Sequence, residues 1–491
     1  MQWPRFIIVI FDAMRRDMVT PRLAPNLRAF LDEGSDFPRS RCVFPSVTRV
    51  NVSALASGAV PAATGVVANK FFDPKVFRDR LLHTGEYDGV RQAEAAYNGR
   101  FVESTTLGDV LAGNGMQLAV VSTGSAGATH LLNPRAAQHG HVTLCLSDWR
   151  VSTPSTYGEA ILERFGSVPP AAKPNVERIR YQMRLTLEAV IPDVKPDVLM
   201  LWFSDPDATY HACGIGSPES EAAIRNVDEQ FGLLLDAWRT QSGADRCQIV
   251  VCSDHGQVTT RERVHVKRSM RRAGIAIGDS FTETQGIAGS TGYYGAIHVR
   301  DAESRSVSRV AEWLNAQPWC SHVFTPGNGD GFNGCVPGTL DRALLMVAHA
   351  RAPQVYYTMR ADDAPNRWGM RGTCYFDSDE YPVGGGTHGG LHELEMTNLL
   401  AVQGASFRER YVSDWPASHV DIVPTMLAAL GLRRPSSATG RVLQEALLHG
   451  AEPPAPECRD CAVESPRQRQ VLRIWNVGAT SYVDHGWRDD A

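Results

Sequence analysis

Continuous apolar runs alternate with amphipathic stretches through the first half of the chain. Residues 6–11 (FIIVIF) are apolar throughout and end on Asp12, the pattern of a strand buried on both faces of a parallel sheet. Residues 24–33 carry helical periodicity and stop at Gly34, and residues 50–57 are helical again, entered through the turn FPSVT. The spacing predicts a helix over 105–114, a strand over 117–122 and a long amphipathic helix over 175–192. The strand VLMLWF (198–203) then runs into Asp205 and Asp207, a helix follows over 218–240, and the strand QIVVCS (248–253) meets Asp254. Such alternation predicts an α/β chain with a mostly parallel sheet and helices on both faces. Ligands of these sheets lie beyond the carboxyl ends of the strands, and here three strands end in aspartate.

The rhythm breaks over 259–385, where Gly/Asn-rich segments such as GNGDGFNG (327–334) and many aromatics predict an inserted smaller subdomain, a cap or lid. Residues 1–258 then form the first part of the catalytic core. The second part is 386–450, with a strand near 399–403 and a helix near 419–431. Residues 451–491 read as a C-terminal extension: a linker over 451–466, rich in Pro and Cys, and then the strand-like QVLRIWNV, which docks on the core.

Composition narrows the class. The 491 residues are 43% hydrophobic and 21% charged, with a formal net charge of −5, as in a globular protein and unlike a nucleic-acid binder with a basic face. No segment approaches the roughly 18 apolar residues of a membrane span, and the N-terminus lacks a secretory layout. A cytoplasmic protein without a membrane partner is expected; a homo-oligomer is compatible with the sequence. The ten cysteines are scattered as reduced thiols would be, and the CxxC pair Cys458/Cys461 lacks the second pair or histidines of a metal site, so it is read as incidental.

The chemistry lies in short Asp/His motifs. DPDATYH places Asp207 and His211 four residues apart, SDHG joins Asp254 to His255 ahead of a permissive glycine, and GGGTHGG surrounds His388 with five glycines. With Asp12 these make three carboxylates and three imidazoles. That is too many ligands for one catalytic zinc and suits two divalent ions, zinc first, with manganese or iron as substitutes. In FPSVTRVNVSALASG, Thr48 opens a helix, where free N–H groups favour an anion, and metal coordination activates a hydroxyl. Locally, Thr48 or Ser46 reads equally as a helix cap.

The ordered series IVIFDAMRRD, APNLRAFLDEG, FPSVTRVNVSALASGAVPAATGVVANKFFD, DPDATYH, SDHG, GTHGG and HVDIVPTMLAALGL…GRVL resembles the alkaline phosphatase superfamily. Within it, the series is most similar to the type I phosphodiesterase/nucleotide pyrophosphatase branch. The resemblance implies an alkaline-phosphatase-like fold and hydrolysis of phosphodiester or pyrophosphate bonds in small anionic, nucleotide-type substrates through a phospho-threonine. It implies that Asp12, Thr48, Asp254 and His255 hold one ion and Asp207, His211 and His388 the other, while Asn69 bonds a phosphoryl oxygen. Arg49 departs from the diesterase pattern and is either a phosphate clamp or a helix-surface residue. Phe71 and Phe72, with Tyr87 and Tyr97, are expected to shape the leaving-group pocket, and His392 to be a plain loop histidine. The rival readings are a phosphonoacetate-hydrolase-like enzyme cleaving C–P bonds and a catalytically silent metal-binding protein.

Overall fold

Residues Phe6–Phe11 form an inner strand in which every side chain is buried, as the apolar run requires. The computed structural model describes residues 2–240, 246–465 and 467–490. Alternate side chains of this strand enter two separate cores. Phe6, Ile8 and Ile10 pack with Val50, Val52 and Leu55 of the helix Thr48–Ser57. Ile7, Val9 and Phe11 pack with Leu27 and Phe30 of the helix Pro25–Glu33 and with Ile224 and Phe231 of Pro218–Thr240. A sheet covered on both faces follows directly.

The sheet has eight strands, and five neighbours are parallel: Gln248–Cys252, Phe6–Phe11, Val198–Phe203, Leu118–Ser122 and Val142–Cys145. Leu400–Gln403 runs antiparallel beside Gln248–Cys252 and continues the sheet towards Ser35–Asp36 and Tyr411–Val412. The register sets Ile10 opposite both Trp202 and Cys252. Asp12, Asp207 and Asp254 therefore leave three adjacent strands at the same edge. The helix expected over 175–192 is α-helical over Val176–Leu185 and widens to a π-type turn over Thr186–Val194, which contains Pro192.

Residues 277–359 contribute strands to a separate six-stranded sheet, with the helix Ser304–Asn315 packed on it through Val307, Val310 and Leu314. A four-stranded sheet joins Ala361–Pro365, Arg371–Phe376, Val258–Arg263 and Gly386–Thr387. Val258–Arg263 pairs with Gly386–Thr387, so the chain leaves the core and returns to it at one point, beside His255 and His388.

One expectation fails here. Residues 451–466 are not a linker throughout: Glu457–Ser465 is a strand, antiparallel to Gln468–Val477, which pairs in turn with Thr480–Asp490. Alternation along that strand buries Cys461 and Val463, a signal masked by the flanking charges of Arg459, Asp460 and Glu464. Cys458 and Cys461, three apart on a strand, point to opposite faces, one exposed and one buried, so they do not converge on a common ligand. Among the described residues no helix is long and apolar enough to cross a membrane.

Candidate active site

Thr48 is the first residue of its helix, and Val47 occupies the cap position with no side chain capping the turn. The cap alternative is thereby removed for both hydroxyls: Ser46 donates to the Gly390 carbonyl at 2.9 Å, and Thr48 Oγ1 faces His255 Nε2 at 3.3 Å. The turn is held from inside by Asn51. Its amide donates to the carbonyls of Val43, Pro45 and Val47, and its oxygen accepts the Val43 N–H at 2.9 Å.

The three candidate histidines share one arrangement. His211 Nδ1 donates to Gly386 O at 2.8 Å, His255 Nδ1 to Gly256 O at 3.0 Å and His388 Nδ1 to Ser46 O at 2.8 Å. A carbonyl only accepts, so the proton sits on Nδ1 and each Nε2 lone pair is turned inward, as metal-ligating imidazoles are oriented. His255 and His388 stack with centroids 3.8 Å apart, and Tyr381 stacks on His211 at 4.2 Å.

The carboxylates complete two overlapping clusters. Ligand atoms of Asp207, His211 and His388 lie within 4.8 Å of one another, as do those of Asp12, Asp207 and His255. Asp207 thus stands between both groups rather than in one. Asp254 Oδ2 is 3.0 Å from His255 Nε2, while its Oδ1 accepts the Ala13 and His255 backbone N–H groups. Asp12 is aimed by the Trp202 indole, which donates to Oδ2 at 3.1 Å. Asp12 Oδ1 and Asp254 Oδ2 are buried with no hydrogen-bond partner among the described residues. Burial, then the Asp254 and Asp207 charges, raise the Asp12 carboxyl well above its usual range. Buried, mutually repelling carboxylate oxygens beside inward Nε2 lone pairs are the donor set of a divalent cation. Asp205, the neighbour considered with Asp207, instead accepts from Asn175 N–H and the Thr209 hydroxyl.

Asn69 lines the adjoining cleft of about 590 Å³ together with Arg49, Lys70, Tyr381 and His388. Its backbone is fixed by Tyr294 and Thr84, and its Oδ1 accepts the Arg49 N–H at 3.4 Å. The aromatic expectations are corrected. Phe71 is fully buried and stacked on Phe101 in the core, and Phe72 packs edge-on against Phe281 outside this cleft. Tyr97 bonds Asp73, and Tyr87 sits near His130. Alternation around the short Lys70–Phe71 strand explains the error: Phe71 points inward and Lys70 faces the cleft. The aromatics that do line the cleft are Tyr293, Tyr294, Phe376 and Tyr381. His392 caps the short helix Glu393–Met396.

Two supports went unread in the sequence. Gln257 donates its amide to Asp207 Oδ1. Glu395 is fully buried and accepts from Gly389 and Gly390 N–H on one oxygen, and from the Tyr293 hydroxyl (2.7 Å) and His392 N–H on the other. Glu395 thereby fixes the loop that carries His388. Only its place just past the glycine-rich loop could have marked it.

The sequence profile of the family described as type I phosphodiesterase / nucleotide pyrophosphatase matches residues 6–369. Bis(5'-adenosyl)-triphosphatase enpp4 from Xenopus laevis is 34% identical over 261 residues, 52% of this chain and 47% of that protein. Human ectonucleotide pyrophosphatase/phosphodiesterase family member 7 is 36% identical over 67 residues, 14% of this chain and 15% of that protein. The matches thus span less than half the length of these curated relatives. Among solved structures, murine ectonucleotide pyrophosphatase / phosphodiesterase 5 shares the fold, with a TM-score of 0.61, 16% identity, and coverage of 90% of this chain and 99% of that one. An inactive variant of it, in complex with AMP, superposes with the same TM-score.

Proposed function

Since the chain belongs to the type I phosphodiesterase/nucleotide pyrophosphatase family, we propose that it hydrolyses phosphodiester or pyrophosphate bonds of small nucleotide-type substrates with Thr48 as nucleophile. The observation that carries this reading is the Thr48 hydroxyl, uncapped at a helix start, 3.3 Å from His255 Nε2 and beside two converging Asp/His clusters. Two divalent ions, zinc in the first instance, held by Asp12, Asp254 and His255 and by Asp207, His211 and His388, would lower the hydroxyl pKa and neutralise phosphoryl charge.

The chain's own groups do the rest. Thr48 Oγ1 attacks phosphorus and the leaving oxygen departs on the far side; water then cleaves the phospho-threonine and restores the hydroxyl. The Asn69 amide and the Thr48 N–H, unbonded in the first helical turn, are placed to donate to the equatorial oxygens. Residues 259–385 act as the cap that walls the cleft through Tyr293, Tyr294 and Tyr381. Replacing Thr48→Ala lowers bis(p-nitrophenyl) phosphate turnover by roughly 10³-fold or more; a variant that keeps its rate removes the nucleophile assignment.

A second reading, C–P hydrolysis of a phosphonoacetate-like substrate, is favoured by one observation: Arg49 and Lys70 flank Asn69 in the cleft. Faster release of phosphate from phosphonoacetate than of nitrophenol from the diester would make it the first.

A further inference from the structure

The loop that carries His388 is held from two sides. On one, the Glu395 carboxylate gathers the N–H groups of Gly389, Gly390 and His392. On the other, the carbonyl of buried Leu391 accepts the backbone N–H of Gly486 at 2.9 Å. Gly486 lies in the C-terminal strand Thr480–Asp490, beyond residues 6–369, which match the family profile.

Contacts along this strand step from the core to the cap. The Tyr482 hydroxyl donates to Asp421 Oδ2 and accepts from Arg441 Nε, both at 3.0 Å. Asp484 accepts from Arg41 Nε at 2.6 Å and from the Trp475 indole at 3.2 Å. Gly486 follows, on the His388 loop. Arg488 then donates to the Gln317 and Cys320 carbonyls, and Asp490 pairs with Arg360 at 2.7 Å, all three partners belonging to the cap. Val483 pairs with Ile474 but Gly486 with Leu472, so Asp484 and His485 together face Arg473 alone. That bulge bends the strand where it passes from core to loop.

The residue type at 486 follows from this close approach. A Cβ built there would lie 2.8 Å from the His322 ring and 3.2 Å from Leu391 Cδ1. Both are inside the roughly 3.5–4.0 Å at which nonbonded carbon atoms pack. Only a hydrogen lets the strand backbone reach Leu391 while His322 stays bonded to Val471 O. The core anchors Tyr482, Asp421 and Arg441 are buried, so the strand is a fixed support for the loop.

We infer that Gly486 is a positioning residue, whose strand fixes the His388 loop between core and cap and so sets the geometry of the Asp207, His211 and His388 cluster. This rests on the two-ion reading above and extends it: the C-terminal sheet is a working part of the site.

The test compares Gly486→Ala with Val463→Ala, which opens a cavity in the same sheet but in the outer strand, with the middle strand between it and the loop. Two quantities are read in the full chain: hydrogen exchange of the Gly389 and Gly390 amides in metal-free protein, and cobalt(II) affinity followed by visible absorption. Gly486→Ala is expected to speed both exchanges and to weaken binding of one cobalt ion, each about tenfold or more. Val463→Ala should lower the denaturant midpoint and leave both quantities near their starting values. Asp484→Asn, which keeps the glycine and loosens only the core end of the strand, should shift both by a smaller factor; it decides the matter if Gly486→Ala does not fold. The role is refuted if loop exchange or cobalt affinity is unchanged in these strand variants, or if Val463→Ala moves them as far. An unmodified protein that binds no cobalt defeats the two-ion reading separately, and amide exchange then still judges the strand.

Discussion

Glu395 shows how a single side chain can hold a site that it does not touch. One oxygen accepts from the Tyr293 hydroxyl and His392 N–H, and the other from the Gly389 and Gly390 N–H groups, with the Ser46 hydroxyl at 3.4 Å, a pattern that suits a carboxylate. In Glu395→Gln the amide NH2 must face two of those donors, which loosens the His388 loop. Zinc affinity and kcat are expected to fall about 10- to 100-fold, with the fold retained by circular dichroism; unchanged metal content and rate would leave Glu395 without this role. At this scale the sequence was readable where residue type alone implies the chemistry. Asp12, Thr48, Asp207, His211, Asp254, His255 and His388 do converge. It was unreadable where the role depends on which way a side chain points. Phe71 and Lys70 are neighbours, yet one is core and the other lines the cleft.

Among the elements, the helix opened by Thr48 is only as well placed as the turn before it. Asn51 reaches back to Val43, Pro45 and Val47, and Asn51→Ala removes the bonds to the buried Val43 N–H and C=O, while the Pro45 and Val47 carbonyls keep backbone donors. A loss of about 2 kcal/mol or more is expected, read as a lower denaturant midpoint, with reduced turnover in the surviving fold. Strands with continuous apolar runs were legible because burial on both faces writes itself into every position. Glu457–Ser465 was not, because its alternation is interrupted by charges and its partners follow it in the chain. The widened turn at Thr186–Val194 was equally hidden, since helical periodicity does not distinguish i→i+4 from i→i+5 bonding.

Among the described residues the molecule joins four larger sheets, and buried His322 sits where two of them meet. His322 links the cap strand Cys320–Thr325 to the C-terminal sheet through Val471 O at 3.0 Å, and burial pushes it down to about 4; burial likewise pushes His298 down to about 3. An unfolded chain takes up these protons near pH 6.5, and the folded one resists until pH 4 or below. Their stability contribution is therefore full above 6.5 and is lost as pH falls through about 4. For His322 it is on the order of 3 kcal/mol. The difference in unfolding free energy between the unmodified protein and His322→Gln should shrink over that interval; a constant difference would show that His322 does not titrate on unfolding.

The convergence of three strand ends also sets when in synthesis the site can assemble. Asp12 and Thr48 emerge early in synthesis, but their partners arrive with Asp207, Asp254 and finally His388. Such long-range pairing closes late in folding. On the proposed mechanism the nascent chain would carry Thr48 without the groups that activate it, and metal uptake would follow folding rather than trigger it.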